Sequence, residues 1–274
     1  MMPIGHSTGW LSGKGASHSL LEHAETVSAA GDDAIELFWK DPGIRDAHGE
    51  EDILLRFRHR SLHLVNFELE TPWTVLLPDL LAIAEFTKHL KIQTAVSHPP
   101  YLHDAIYKTL LKEGAPVTAE NMDRAQSSGV TVEDLEKLHT LYQVPFCLDL
   151  QHAYEHSVDA GLAPETMALR YADMMLKGNR LAVLHVSGEV MGADGNRIEN
   201  HAAVHRATNR DAIVEALREV IARVKNVPII LEGDYLPGEP VEVEIEDPSA
   251  RKKLLRKAEE EMREEREWLI RCIS

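Results

Sequence analysis

The sequence predicts a single (β/α)8 barrel, residues 1–274, that ends in an additional charged helix. Three observations carry this expectation. Apolar strand-like runs alternate with helical patterns from one end of the 274 residues to the other, the signature of repeated βα units. The runs number eight, enough to close a barrel. Four of them deliver a carboxylate or imidazole at their C-terminal ends: Pro116-Val117-Thr118-Ala119-Glu120, Val144-Pro145-Phe146-Cys147-Leu148-Asp149, Leu181-Ala182-Val183-Leu184-His185 and Pro228-Ile229-Ile230-Leu231-Glu232. Such strand ends make a poor core, but they are well placed at the mouth of a parallel barrel, where they converge on one pocket.

In chain order, the first strand lies near Ile4 and the second covers Ala34–Phe38. A polar stretch, 40–52, contains Pro42-Gly43 and reads as a long loop. The third strand covers 61–65, and Leu76, Leu80, Ile83, Ala84 and Leu90 then recur at helical spacing. The fourth covers 94–98 and is stopped by Pro99-Pro100. After the fifth, 117–120, Thr131-Val132-Glu133-Asp134 reads as a capped helix start. The sixth and seventh cover 146–149 and 181–186. A second long loop, 188–209, carries Gly192 and Gly195, and Thr208-Asn209-Arg210-Asp211 reads as the next helix start. Ile213, Leu217, Val220, Ile221 and Val224 form that helix's apolar face, and 228–232 is the eighth strand. Residues 249–273 read as a charged helix. Its narrow seam, Leu254, Leu255, Ala258, Met262 and Leu269, fits either the barrel wall or a dimer contact.

Composition narrows the classes. A 44% apolar and 27% charged chain is an ordinary soluble globular composition. No apolar run approaches the roughly 18 to 20 residues that span a bilayer. Met1-Met2-Pro3-Ile4-Gly5-His6 lacks a signal peptide's basic segment, and two cysteines, Cys147 and Cys272, do not make a disulfide framework. The cytoplasm is the expected compartment. A net charge of −16 argues against broad attraction to nucleic acid, without excluding a local basic groove.

Glu120, Asp149, His185 and Glu232 supply hard oxygen donors with one nitrogen, a set suited to Mn, Mg, Co or Zn. Clustered acids would repel one another without a cation. Further candidates fall where the barrel wants them: His63 and His98 at strand ends, His152 three residues after Asp149, and Glu199 and His201 in the loop after the seventh strand. Each of these five reads equally as a ligand or as a substrate contact. Trp10, Trp39 and Trp73 follow the first three strands and fit either stacking on a sugar face or packing under loops.

The chain resembles the xylose isomerase-like barrel superfamily, which includes sugar isomerases, epimerases and endonuclease IV. The motifs are Ala34-Ile35-Glu36-Leu37, His98-Pro99, Glu120-Asn121, Asp149-Leu150-Gln151-His152, His185-Val186-Ser187-Gly188, Glu199-Asn200-His201 and Ile229-Ile230-Leu231-Glu232. In the epimerase branch the resemblance implies one divalent ion held by Glu120, Asp149, His185 and Glu232. Glu120 and Glu232 would then be the acid/base pair, with His152 touching a small sugar or sugar phosphate and the proton moving through a metal-stabilised enediolate. In the endonuclease IV branch it implies that all nine positions hold three zinc ions, with Glu199 standing where that branch usually has Asp.

Isomerisation or epimerisation of a polyhydroxy substrate is therefore the first expectation. Zinc-dependent phosphoester hydrolysis is the second, favoured by His63, His98 and His201. DNA as the substrate is disfavoured by the acidic chain, and Phe67, the one wedge candidate after His63, has acids beside it. A multinuclear iron oxidase acting on peptide cysteines ranks lowest of the enzymatic readings, and a non-catalytic metal-binding or scaffold protein stands beside them as the non-enzymatic alternative. A homo-oligomer is compatible with every one of these.

Overall fold

The computed structural model describes residues 2–9, 11, 19–40, 44, 51–64, 66–67, 70–237 and 247–274. Trp10, most of the 40–52 loop, and Val65, Glu68 and Leu69 lie outside them.

The barrel strands are β1 (Ile4–Ser7), β2 (Ala34–Phe38), β3 (His59–His63), β4 (Thr94–Ser97), β5 (Val117–Glu120), β6 (Phe146–Asp149), β7 (Leu181–Val186) and β10 (Ile229–Leu231). All pair in parallel, and β10 closes the ring between β7 and β1. Crossovers run through α1 (Leu20–Ala29), α2 (Glu51–Leu54), α3 (Trp73–His89), α4 (Asp104–Lys112), α5 (Val132–Tyr142), α6 (Leu150–Asp159), α7 (Thr166–Leu176) and α8 (Arg210–Ile221). The eight expected strands are present, with β3 beginning two residues earlier than its apolar run suggests.

Helix faces follow the expected spacing. Leu76, Leu80, Ile83 and Ala84 are buried on α3, and Ile213, Leu217 and Val220 on α8. Thr131 and Asp134 form the expected reciprocal cap on α5. At α8 the cap differs, because Asn209 makes no side-chain capping bond. Its Oδ1 accepts from the Glu189 backbone N–H at 2.9 Å, and its Nδ2 donates to Gln151 at 2.9 Å. Those bonds tie down what the sequence reads as an open loop. Within 188–209 the chain forms an antiparallel hairpin, β8 (Gly188–Met191) with β9 (Arg197–Ala202).

Helix α9 (Pro248–Ile273) lies on the barrel wall against α1, α8 and β1. Ala258, Met262 and Leu269 are buried there, and Leu254 and Leu255 are half-buried against the same core. The seam is thus used within the chain. No described helix is long and apolar enough to cross a membrane.

Inside the ring, Ala34, Val96, Cys147, Val183 and Ile230 form a small apolar layer, separate from the larger core between strands and helices. Side chains on a strand return to the same face every second residue. Two positions further on, towards the C-terminal mouth, stand Glu36, His98, Asp149, His185 and Glu232. An apolar floor and a polar layer above it thus follow from strand alternation alone.

Candidate metal centre

His185 is the hub of this layer and is fully buried. Its Nδ1 lies 2.8 Å from Glu120 Oε1 and 3.0 Å from Glu232 Oε2, and its Nε2 lies 3.0 Å from Glu36 Oε2. A second imidazole, His63, faces Glu36 Oε1 at 3.1 Å and Glu232 Oε1 at 3.3 Å through Nδ1. Its Nε2 meets His98 Nε2 at 3.0 Å, and that nitrogen also lies 3.0 Å from Glu120 Oε2. Asn66 fixes the far side of His98, Oδ1 to Nδ1 at 2.8 Å.

Asp149 ends β6 and caps α6, its Oδ1 accepting from the His152 backbone N–H at 2.7 Å. Asn121 braces the same turn: its Oδ1 accepts from the Asp149 N–H at 2.7 Å and its Nδ2 donates to the Asp149 carbonyl at 2.9 Å. Asp149 Oδ2 and His152 Nδ1 are buried and make no hydrogen bond among the described residues.

Four overlapping groups of donors occur here among the described residues, two of them being Glu36–His63–His185–Glu232 and Glu120–Cys147–His185. In the other two, Glu120, Asp149, His185 and Glu232 each offer an atom within 4.8 Å of the others, and so do His63, His98 and Glu120. His152 and His201 join none of these groups, but both line the cavity of about 350 Å³ above them. Their rings sit perpendicular at 5.8 Å, and His201 Nδ1 lies 3.1 Å from Ser187 Oγ.

Glu199 stands apart from the other eight candidates. Arg206 takes both of its oxygens, at 2.6 and 2.7 Å, and also reaches Glu261 and the Asp234 carbonyl. The forked guanidinium matches a carboxylate well and leaves it little to offer a cation. Glu199 stands here as the ion-pair partner of Arg206, outside the donor groups formed by the described residues.

Of the three tryptophans, Trp10 lies outside the described residues, and the other two follow the packing alternative: Trp39 is buried edge-on against Phe86, and Trp73 sits beside His103 at the start of α3. Neither lines the cavity, where Phe38 and Tyr101 are the described phenyl and phenol rings. Phe67, the candidate wedge, is buried.

Charges in the site are mutually dependent. Burial pushes the Glu120 and Glu232 carboxyls up, but His185 outweighs it and both end well below the usual range, assisted by His98 and His63 respectively. Asp149 goes the other way: burial, then the charges of Glu120 and Glu232, raise it to about 8. Burial lowers His63, yet its bonds to Glu232 and Glu36 bring it up to about 10. Without a cation, then, the acids are neutralised by imidazolium protons and by a proton on Asp149.

The residues fit a divalent cation. The donors are carboxylate oxygens and imidazole nitrogens, Asp149 Oδ2 is buried without a hydrogen bond among the described residues, and the two facing ring nitrogens of His63 and His98 can share either one hydrogen or one cation.

The sequence readings missed Glu36, Asn121, Asn66 and Cys147 as parts of this centre. Cys147 Sγ lies 3.7 Å from Glu120 Oε1, directly beneath the acids. A signal for Glu36 existed, since a carboxylate sits inside the apolar run Ala34-Ile35-Glu36-Leu37-Phe38.

No family model and no curated protein matches this sequence. Solved structures do. The chain is similar to endonuclease IV from Thermus thermophilus at 21% identity and a TM-score of 0.58, covering 96% of this chain and 99% of that one. The IolI protein with a bound zinc atom aligns at 14% identity and a TM-score of 0.63, over 100% of this chain and 98% of that one. A D-allulose 3-epimerase from Methylomonas sp. aligns at 15% identity and a TM-score of 0.54, over 96% and 98%. At these identities the likeness speaks for architecture: the chain is built on the same closed (β/α)8 barrel as endonuclease IV, IolI and the epimerase.

Proposed function

We propose that the protein is a divalent-metal-dependent isomerase or epimerase of a small polyhydroxy compound, a sugar or sugar phosphate. The observation that carries this reading is the convergence of Glu120, Asp149, His185 and Glu232 on one point while Arg206 occupies Glu199. This supports a four-donor centre over the nine-donor set expected of a three-zinc phosphoesterase.

A bound cation, whether Mn, Co, Mg or Zn, would polarise a substrate carbonyl and its neighbouring hydroxyl. Glu120 and Glu232 are held ionised, so each is ready to accept a proton from carbon and return it to the adjacent position or the opposite face. His152 lines the cavity, and its buried Nδ1 has no hydrogen bond among the described residues, which supports a role in holding a substrate hydroxyl. The cavity, about 350 Å³, accommodates a ligand of monosaccharide size.

The His63–His98–Glu120 group favours a second reading. Two imidazole nitrogens 3.0 Å apart next to a carboxylate could hold another cation, as phosphoester hydrolysis requires.

The deciding experiment is metal content per chain, followed by turnover on ketoses, their phosphates and simple phosphodiesters. About one divalent ion with proton exchange at a sugar carbon supports the isomerase. Two or three zinc ions with phosphodiester cleavage supports the hydrolase, and iron at that level revives the oxidase. Glu232→Gln should lose turnover and weaken metal binding with the fold intact. Unchanged metal content and turnover in that variant would remove Glu232 from the centre.

A further inference from the structure

We propose that Glu36 is the positioning residue that fixes the tautomers of both His185 and His63, and so holds the two donor groups in register. This rests on the metal-centre reading above but adds a residue that this reading does not use.

Glu36 is fully buried, and its two oxygens are divided between two rings. Oε2 faces His185 Nε2 at 3.0 Å and Oε1 faces His63 Nδ1 at 3.1 Å. An ionised carboxylate can only accept, so each ring nitrogen facing it must carry a hydrogen. In a neutral imidazole the lone pair is then on the other nitrogen.

For His185 that nitrogen is Nδ1, which faces Glu120 and Glu232 and donates a hydrogen to them only until a cation takes its place. For His63 it is Nε2, which points at His98. The two rings therefore present opposite nitrogens, Nδ1 on one and Nε2 on the other, and Glu36 contributes to both choices, through Oε2 at His185 Nε2 and together with Glu232 Oε1 at His63 Nδ1. Ligating histidines commonly donate their second N–H to such a partner, which sets ring orientation and basicity. Here one partner serves two rings drawn from strands far apart in the sequence, β3 and β7. Glu36 also falls in a donor group with His63, His185 and Glu232, and the division of its two oxygens between two rings is the geometry of an orienting partner.

Replacing the carboxylate by an amide of the same shape tests this. Glutamine has one acceptor oxygen and one donor NH2, so it can receive only one of the two ring N–H groups. The other ring must turn its lone pair towards the amide and place its hydrogen on the donor nitrogen. If His185 changes, the Glu120–Asp149–Glu232 group loses its nitrogen. If His63 changes, the His98–Glu120 group loses one.

The experiment uses the full chain labelled with 15N-histidine and loaded with ZnCl2 alone. Long-range proton–nitrogen spectra report which ring nitrogen carries hydrogen. Competition with a chromophoric chelator gives the Zn affinity. In the wild type His185 should carry hydrogen on Nε2 and His63 on Nδ1. In Glu36→Gln one of the two rings should change tautomer, and Zn affinity should fall about 10- to 100-fold. A purely structural role for Glu36 would lower thermal stability without moving a tautomer.

Zn-loaded wild-type spectra without hydrogen on His185 Nε2 or without hydrogen on His63 Nδ1 would overturn the inference, and they decide it alone if Glu36→Gln does not fold. A folded variant with wild-type affinity and unchanged rings would overturn it while leaving the metal centre intact. A wild-type chain that binds no Zn would overturn the metal centre and this inference together.

Discussion

Metal uptake should displace protons, and the structure says how many. Without a cation His185 is held charged: burial lowers its pKa, but Cys147, Glu232, Glu36 and Glu120 together bring it well above the ordinary value. Asp149, raised to about 8, is protonated at neutral pH. Ligands must be deprotonated to bind a metal, so one ion entering the Glu120–Asp149–His185–Glu232 group at pH 7 should release about two protons, one from His185 Nδ1 and one from Asp149. Glu120 and Glu232 contribute none, being ionised already.

The pH dependence has a definite sign. Release favours the bound state as pH rises, so apparent affinity should climb about 100-fold per pH unit near neutrality. Above the Asp149 pKa of about 8, that carboxyl is ionised before the metal arrives. Release should fall towards about one proton and the slope towards about tenfold per unit. Calorimetry of Co(II) binding in two buffers of unlike ionisation enthalpy, at pH 7 and pH 8.5, counts the protons directly. Asp149→Asn should release about one fewer proton at pH 7. Release near zero at pH 7, or a count unaffected by Asp149→Asn, would refute the electrostatic reasoning. An ion entering the second group should take a further proton from His63, held at about 10.

Three further outcomes follow from the geometry. Glu199→Gln should leave metal content unchanged, because Arg206 already holds both oxygens, while lost charge-assisted bonds cost about 1–3 kcal/mol in urea denaturation. Gly5→Ala should destabilise by about 3 kcal/mol or more, since a Cβ there would lie 1.8 Å from the Ala34 carbonyl oxygen; a melting temperature within a degree of wild type would contradict it. His6 should make stability fall with rising pH. Burial lowers its pKa, yet Asp32 at 2.5 Å and Glu265 at 3.5 Å raise it to about 9. The stability is fully present below the unfolded value of 6.5 and is lost as pH rises to about 9, at most about 3 kcal/mol, because burial raises the Asp32 carboxyl as well and offsets part of the gain. Urea midpoints for the wild type and His6→Gln should converge above that pH, and parallel curves would contradict the assignment.

The barrel was legible because its signals are local. A strand of β-branched and aliphatic residues ending in Glu120, Asp149, His185 or Glu232 announces itself within six residues, and Pro99-Pro100 marks where β4 stops. The hairpin β8–β9 was not legible. Its anchors are Asn209 and Thr208, which from sequence read as helix caps and in the fold bond Glu189 and Met191 instead. Local capping chemistry was overridden by a partner some twenty residues away. The Arg206 partner of Glu199 was hidden for a similar reason. A carboxylate beside His201 suggests a ligand, and only the turn at Val204–Arg206 brings the guanidinium that claims it.

Glu36 shows why the centre needs the closed ring to be read in full. It lies 149 positions from His185 and 27 from His63. Neither separation has a period, and within β2 the carboxylate looks like a single polar interruption of an apolar run. Strand alternation puts it on the interior face above Ala34, and barrel closure through β10 sets that face opposite β7. Burying a charge in this way is expensive unless it is paired and hydrogen-bonded. Two imidazole N–H groups meet that condition, and the same two rings thereby turn their remaining nitrogens towards Glu120, Glu232 and His98. The stability requirement of the buried acid and the orientation requirement of the donor groups are satisfied by one set of contacts. A variant that relieves the first, such as Glu36→Gln, should therefore lose the second even if it melts no lower than the wild type.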